Sequence, residues 1–522
     1  SMTTAFLWLI ALVALTLGTM MLSNRLKIAY PIALVAVGLL VCFIPGTPRI
    51  QLNPEVIFVL FLPPLLYESG WAVSWKELWK WRRIVGSFAF LVVFFSAAAV
   101  ACLANLVFPG FSLALGFLLG GVVSSPDAVS TAAILRFVKV PKRLASILEG
   151  ESLLNDASSL IIFRFAAITV TTGQFVFYQA AGQFLWMVIG GVGIGVLFGY
   201  LALKLHRHLP MDSNTNVILT LVAPYMMYIV AELLGASGVM AGVCGGLYTA
   251  SHRLTIFGAE IRVRGKYVWD SLVFMLNGMT FILVGLELPD ILDGIRAEGV
   301  SLMEATWYGL ITTGALIIVR FISVFGAIVV TQIMKHFITV ADENIPDWRI
   351  PLLLGWAGMR GAVSLAAALS IPLMAGDAPF PHRSLIIYMT FVVIFFTLVV
   401  QGLSLPILVK RLRPEDPGDY ISDEETEKLL QTELARTALS YVKKHYPEAY
   451  EESPALRHQV KQWRVTLETE ASPMTSDYLK IYLEVLEHQR TALLALNKRP
   501  DINEEVIRRY LLQLDLEETK WN

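Results

Sequence analysis

The sequence predicts an all-α polytopic membrane protein of about thirteen transmembrane helices. It adds inverted repeats with two crossed broken helices, and a small helical cytosolic tail. Three observations predict this fold class. Of 522 residues, 56% are apolar and only 16% are charged, and mean hydropathy is +0.62, a balance typical of chains whose solvent is lipid. Apolar runs of spanning length follow one another almost to residue 410. Acids interrupt those runs at a few places only, Asp127 beside Pro126 and Glu151 beside Gly150 among them.

Taken in order, the spans fall at about 4–22, 26–44, 53–74, 84–107, 111–136, 146–172, 176–203, 215–234, 236–250, 267–289, 302–334, 349–373 and 384–409. Ser1 ahead of Met2 reads as a remnant of a cleaved tag and is set aside, and the first run opens the array with no removable signal peptide expected. The ninth span is short, and the eleventh is long enough to tilt. With the N-terminus outside, the inside segments hold 21 Lys and Arg and the outside segments hold three: Arg49, Arg296 and Arg383. One missed span would invert every later loop, so this bias supports a chain with its N-terminus out and its C-terminus in. Three arginines remain at membrane depth: Arg164, Arg320 and Arg360.

The near-zero net charge hides an uneven distribution. Residues 414–522 carry 22 acids against 14 Lys and Arg, and the preceding part carries 20 against 27. The sequence therefore divides into a membrane domain, 2–413, and a cytosolic C-terminal domain, 414–522. In the tail, Leu429 to Tyr446 and Tyr478 to Leu496 show helical apolar spacing, and Pro447 stands where the first helix should stop. Cys42, Cys102 and Cys244 lie far apart in apolar runs and read as small core residues without disulfide or zinc spacing. Trp71, Trp75, Trp79 and Trp81, at the inner end of span three, read as an interfacial belt.

The polar groups inside the spans carry the functional argument. A carboxylate at the bilayer centre costs roughly 2.5–3.5 kcal/mol on insertion scales unless it is paired, protonated or wetted. Helix rise puts Glu68 and Ser152 at roughly 9 Å from the cytosolic end of their spans, Asp127 at roughly 14 Å, Asp156 at roughly 15 Å and Arg360 at roughly 16 Å. Spans three, five, six and twelve thus bring polar groups to one slab. Ser152 and Asp156 share a face of span six, with Glu151 and Asn155 as the neighbouring pair.

Backbone chemistry predicts how that slab is built. Pro126 removes one amide from the ladder of span five, and Ser124 and Ser125 favour a local opening. Span twelve has three glycines in seven residues, at Gly355, Gly358 and Gly361. Two interrupted spans seven apart in order suggest inverted repeats whose half-helix ends cross near the midplane. Freed carbonyls and carboxylates offer hard oxygen ligands for a small cation. With no nucleotide loop, Ser-His-Asp set or HExxH motif, the chain is not expected to be an enzyme, to hold a cofactor or to bind nucleic acid.

Four motifs now identify a resemblance. They are Leu62-Pro63-Pro64-Leu65-Leu66-Tyr67-Glu68, Ser125-Pro126-Asp127-Ala128-Val129, Gly150-Glu151-Ser152-Leu153-Leu154-Asn155-Asp156 and Met359-Arg360-Gly361-Ala362-Val363. With them the chain resembles the sodium/proton exchanger family over residues 4–412, in its electroneutral Asn-Asp branch of bacterial NhaP-type and animal Na+/H+ exchangers. Many members have Asp-Pro where this chain has Pro126-Asp127, and the aspartates are taken as equivalent. The resemblance implies an antiporter that exchanges Na+, Li+ or K+ for H+. Its expected site is Asp156 as the ion- and proton-binding carboxylate, with Asp127, Ser152 and Glu68 helping to coordinate the transported cation. Asn155 stands where the electrogenic branch has a second aspartate. The resemblance also implies a homodimer in the lipid of a cell membrane, a bacterial inner membrane, with a mobile core moving against a dimerisation domain. Glu151 and Arg360 are expected to form a buried pair tying span six to span twelve. Asp127 as a cap of the broken helix, Glu68 as a gating acid, a K+-selective antiporter and a channel or sensor with the tail as output are the competing readings.

Overall fold

Among the described residues, helices follow one another in the order expected. The computed structural model describes residues 2–47, 49, 55, 57–175, 177–337, 347–415, 423–468, 476–499 and 504–520, so the start of the third expected span lies partly outside them. The chain divides into two compact units, Ser1–Asp416 and Pro417–Asn522.

In the first unit the helices are α1 (Met2–Leu26), α2 (Tyr30–Cys42), α3 (Leu62–Ala72) and α4 (Arg82–Val107), then a fifth in two halves, α5a (Leu113–Val123) and α5b (Ala128–Leu135). They continue as α6 (Lys142–Thr172), α7 (Phe177–His208), α8 (Ser213–Leu233), α9 (Gly238–Ile256), α10 (Ala259–Leu286) and α11 (Leu302–Met334). The twelfth is again split, into α12a (Arg349–Trp356) and α12b (Ala362–Leu369), and α13 (Arg383–Leu412) closes the unit. Nine of the described helices are long and apolar enough to cross a membrane, and α2, α3, α9 and the split twelfth occupy the places of the other four expected spans. This is a multi-pass membrane protein.

Local chemistry sets the boundaries. Ser112 caps α5a by accepting from Leu115 N at 3.2 Å, and Ser237 caps α9 by accepting from Met240 N at 3.2 Å. Asp212 caps α8, where the amide and hydroxyl of Thr215 hold its carboxyl below the usual carboxylate range. Gly173, at φ 68°, ends α6 in the left-handed conformation that glycine adopts without penalty. α5a lies close on α4 because a Cβ on Gly116 or Gly120 would approach the backbone of Ala101 or Ala97 to 2.6 or 2.5 Å. A π-helical turn at Ser87–Val92 redirects α4, and the Ala89 carbonyl accepts from Ser158 Oγ of α6 at 2.6 Å.

Two readings of connecting segments change. An amphipathic helix, Leu288–Ala297, connects α10 to α11 and buries Ile291 and Ile295, while its Asp290 and Asp293 pair with Arg49. The four tryptophans are not one belt. Trp75 and Trp79 are exposed and stacked, but Trp81 is buried under Arg143, and Trp71 packs on Tyr67 and Trp269 beneath Arg253. Aromatic rings at this level serve as packing as well as surface.

The second unit contains five described helices: Asp423–His445, Pro447–Glu452, Pro454–Glu468, Ser476–Leu496 and Glu504–Thr519. Pro447 ends the first and opens the next, because proline is excluded from a helix interior but fits its first turn. Each of the four longer helices buries one residue deeply, Ala435, Val460, Leu486 and Ile507. Arg490 joins the last two helices through Asp515 and Glu518, and these acids, Glu518 foremost, raise the pKa of its guanidinium.

Candidate functional site

Where α5 and α12 open, their backbones meet. Residues 124–127 separate α5a from α5b, and residues 357–361 separate α12a from α12b. The Asp127 amide donates to the Met359 carbonyl at 2.7 Å, a direct bond between the two breaks. Pro126 has no amide to place there, and that is why the helix opens at this point and not a turn away. Asp127 then starts α5b as its N-cap: Oδ2 accepts from Ser130 N at 2.8 Å and from Ser130 Oγ. A carboxylate so placed satisfies orphan amides and faces the positive end of a helix. Gly361 makes the crossing possible. A Cβ there would lie 2.4 Å from Asp127 Cγ.

α6 passes beside this crossing and contributes two adjacent side chains. Asn155 Nδ2 donates to the Pro126 carbonyl at 2.9 Å, holding the open segment against α6. Asn155 is wholly buried, and its Oδ1 has no hydrogen-bond partner among the described residues. Asp156 Oδ1 accepts from Ser125 Oγ at 2.5 Å. The crossing therefore gathers two carboxylates, an unpartnered amide oxygen and freed carbonyls. That set of hard oxygens suits a small monovalent cation or a proton.

The structure brings Asp127, Asn155 and Asp156 together, and treats the other expected residues differently. Ser152 is half-buried and donates to Leu148 O of its own helix at 2.7 Å. Glu68 is half-buried on the wall of a cavity of about 460 Å³, which it shares with Trp71, Trp269, Arg253, Lys266 and Asp270.

The expected Glu151–Arg360 pair is wrong. Glu151 is held by Arg320 of α11 through two bonds, Oε1 to Nη1 at 2.7 Å and Oε2 to Nη2 at 2.8 Å. Both side chains are buried, and Arg320 Nε adds a bond to Leu354 O at 2.9 Å. With both Glu151 oxygens engaged by a planar guanidinium fork, Arg360 has no place on that carboxylate. It turns instead to carbonyls that the breaks set free: Nε donates to Val123 O at 2.5 Å, at the end of α5a, and Nη1 donates to Gly358 O. A cation at the C-terminus of a half-helix meets the negative end of its dipole. Arg360 still joins α12 to the site, but through α5a. Its amide donates to Thr397 Oγ1 of α13 at 3.1 Å, where α13 has a π-helical turn.

Sequence reasoning missed Ser130, Arg320 and Thr397 as parts of this arrangement, and read Ser125 and Gly361 only as marks of the helix breaks. Ser125 and Ser130 flank Pro126-Asp127, and a serine three residues after an N-cap aspartate is a readable signal. Arg320 carried no such signal. Arg164, by contrast, meets a carboxylate outside the crossing, Glu232 of α8, at 2.6 Å.

The comparisons agree with this architecture. A family model described as sodium/hydrogen exchanger, transmembrane, matches residues 10–411. The chain is 34% identical over 420 residues to the sodium, potassium, lithium and rubidium/H+ antiporter of Bacillus pumilus (strain SAFR-032), covering 78% of this chain and 61% of that protein. A protein of the same description from Bacillus subtilis (strain 168) is 32% identical over 523 residues, covering 96% of this chain and 76% of its own length. In fold, the chain is similar to the sodium proton antiporter MjNhaP1 of Methanocaldococcus jannaschii, with a TM-score of 0.62 at 16% identity, covering 79% of this chain and 100% of that one.

Proposed function

We propose that this chain, which belongs to the transmembrane sodium/hydrogen exchanger family, is a secondary antiporter that exchanges Na+ for H+ one for one. The single observation that carries the reading is the bond of Asp156 to Ser125 in the open segment whose Asp127 meets Met359 where two broken helices cross. Within this reading the two carboxylates have different work. Asp127 is engaged as a cap, with two donors from Ser130 on one oxygen, and keeps its charge to hold α5b and the cation. Asp156 receives one hydroxyl donor, so a proton or a cation occupies its remaining oxygen in turn. Competition of the two cargoes for one carboxylate couples their opposed movements. Asn155 supplies a neutral amide where a second titrating acid would add a second proton.

In this reading Glu68 attracts cations from the cavity toward Asp156, and the backbone-bonded Ser152 lines the approach. Transport proceeds by alternating access, without chemistry on a substrate. Residues 2–413 form the transmembrane antiporter domain and 414–522 a cytoplasmic tail. The protein is a homodimer in the lipid of a bacterial inner membrane, with its N-terminus outside. The 21-to-3 bias of Lys and Arg supports that orientation. Cation range is broader than Na+ alone, a reading supported by the two Bacillus relatives, whose descriptions include potassium, lithium and rubidium. The test is dissipation of a pH gradient in proteoliposomes titrated with Na+, Li+ and K+. Exchange is expected with Na+ and Li+, and proton movement indifferent to all three ions would end the antiporter reading.

A further inference from the structure

Resting on the antiport reading, we propose that Arg164 and Glu232 are the lock that closes the site toward the face remote from the cavity. The two ends of the membrane unit differ in the conformation seen. At one end, the cavity of about 460 Å³ opens beside Glu68, with Arg253, Arg262 and Lys266 on its walls. At the other, α6 is sealed to its neighbours. Leu153, Ala157, Leu160 and Arg164 follow one another at spacings of four, three and four residues, so they form one stripe along α6. Leu153 and Ala157 belong to an apolar cluster with Leu62 and Leu66 of α3 and Val239 and Val243 of α9, and Leu160 packs against it. Asp156 sits at the edge of that stripe, level with Ala157, so Leu160 and then Arg164 stand between Asp156 and the remote face.

The ion pair finishes the seal. Arg164 is eight residues beyond Asp156, about 12 Å along the helix. Its Nη2 meets Glu232 Oε2 at 2.6 Å, while Glu232 Oε1 accepts from the Gly238 amide at 3.0 Å. Glu232 is thus fixed by the first turn of α9 and presents its second oxygen to α6. Thr220 of α8 lines the cavity, and Glu232 lies twelve residues further along the same helix, about 18 Å away. The pair is partly exposed, with 41% and 27% of the side chains open. An ion pair of this kind is strong enough to bias two conformations and weak enough to break in each cycle.

The experiment places a single cysteine at Leu160 after replacing Cys42, Cys102 and Cys244 with alanine. Right-side-out membrane vesicles are then labelled with a membrane-impermeant maleimide. Labelling should be slow in this background and about two- to tenfold faster with Glu232→Gln or Arg164→Gln, the shift that one partly exposed pair supports. Glu232→Gln keeps an oxygen for the Gly238 amide, so it removes the ion pair without the cap. Arg164→Lys keeps both the ion pair and the Gly238 cap, so labelling should stay slow, which a need for the packing of the guanidinium alone would not produce. Where one of the two single variants fails to fold, the other, compared with Arg164→Lys, carries the test. Labelling unchanged by Glu232→Gln in folded protein, or accelerated as much by Arg164→Lys, would overturn the lock. Cation-driven proton movement is measured in the same vesicles. Accelerated labelling without such movement supports the lock and removes the antiport reading. Normal exchange with unchanged labelling overturns the lock and leaves antiport standing.

Discussion

The two broken helices look like copies but are finished by different means. At the α5 break both half-helix ends meet a charge: Arg360 donates to Val123 O, and Asp127 caps α5b through Ser130 N. At the α12 break, Gly361 precedes α12b with no side-chain cap, and Met359 offers a bare carbonyl to the Asp127 amide. One break holds the carboxylate; the other supplies space, a carbonyl and a guanidinium. The pseudo-repeat therefore gives the crossing, and its asymmetry gives the chemistry. An ion site needs charge on one strand of the crossing only, because two acidic caps so close would repel each other.

The comparison breaks most completely at Asp156, which no element of the α12 break can replace. Asp156→Asn should abolish cation-driven proton movement in proteoliposomes while the purified protein keeps its thermal transition. Robust exchange by that variant would remove Asp156 from the centre of the account. Gly361→Ala attacks the crossing from the α12 side. Its methyl would lie 2.4 Å from Asp127 Cγ, and overpacking of this kind costs about 1–3 kcal/mol. We expect a lower melting temperature and at least about a tenfold loss of exchange, since about 1.4 kcal/mol corresponds to a factor of ten. Unchanged exchange would mean that the two backbones do not need this approach.

These predictions show how much of the site the sequence carries. Pro126 and the glycines of span twelve reveal the breaks because they act on the backbone where they stand. Asn155 and Asp156 stand side by side on span six and Asp127 lies at similar depth on span five, while their roles came from the resemblance. Arg320 did not follow. Its partner depends on how α11 is rotated about its axis, and rotation is set by packing with helices distant in sequence. The resemblance implied Arg360 as the partner of Glu151, and sequence alone offered no correction, because helix rotation decides that Arg360 faces the end of α5a. Ser152 shares a face with Asp156, yet its hydroxyl turns back to Leu148 O, a choice of rotamer that helix periodicity does not encode. In the tail, the two anticipated helices appear as Asp423–His445 and Ser476–Leu496. Pro454–Glu468 and Glu504–Thr519 were not anticipated, because their apolar positions are sparse among charges.

Further predictions sharpen the contrast between the two arginines. Glu151→Ala or Arg320→Ala leaves a buried charge unpaired and should cost about 3–5 kcal/mol of stability. In a double-mutant cycle read by thermal unfolding, Glu151 should couple strongly to Arg320 and weakly to Arg360. Strong coupling to Arg360 would restore the pairing that the structure rejects. Ser125→Ala removes the one hydroxyl donor to Asp156. It should raise the KM for Na+ about tenfold, in line with roughly 1.5–3 kcal/mol for a hydrogen bond to a charged group, with maximal rate nearly kept. A KM indistinguishable from the parent would show that Ser125 does not shape the ion-bound state.

The central claim is that one group, Asp156, exchanges one proton for one cation while Asp127 keeps its charge. Both loaded forms of the moving part then carry the same net charge. The direct measurement is Na+-driven proton movement in proteoliposomes under an imposed potential of about 100 mV, of either sign, at which one uncompensated charge would feel about 2.3 kcal/mol. The account predicts rates and end-points that do not depend on the sign of the potential. Rates or end-points that follow it would contradict the account and point to Asp127 as a second proton carrier.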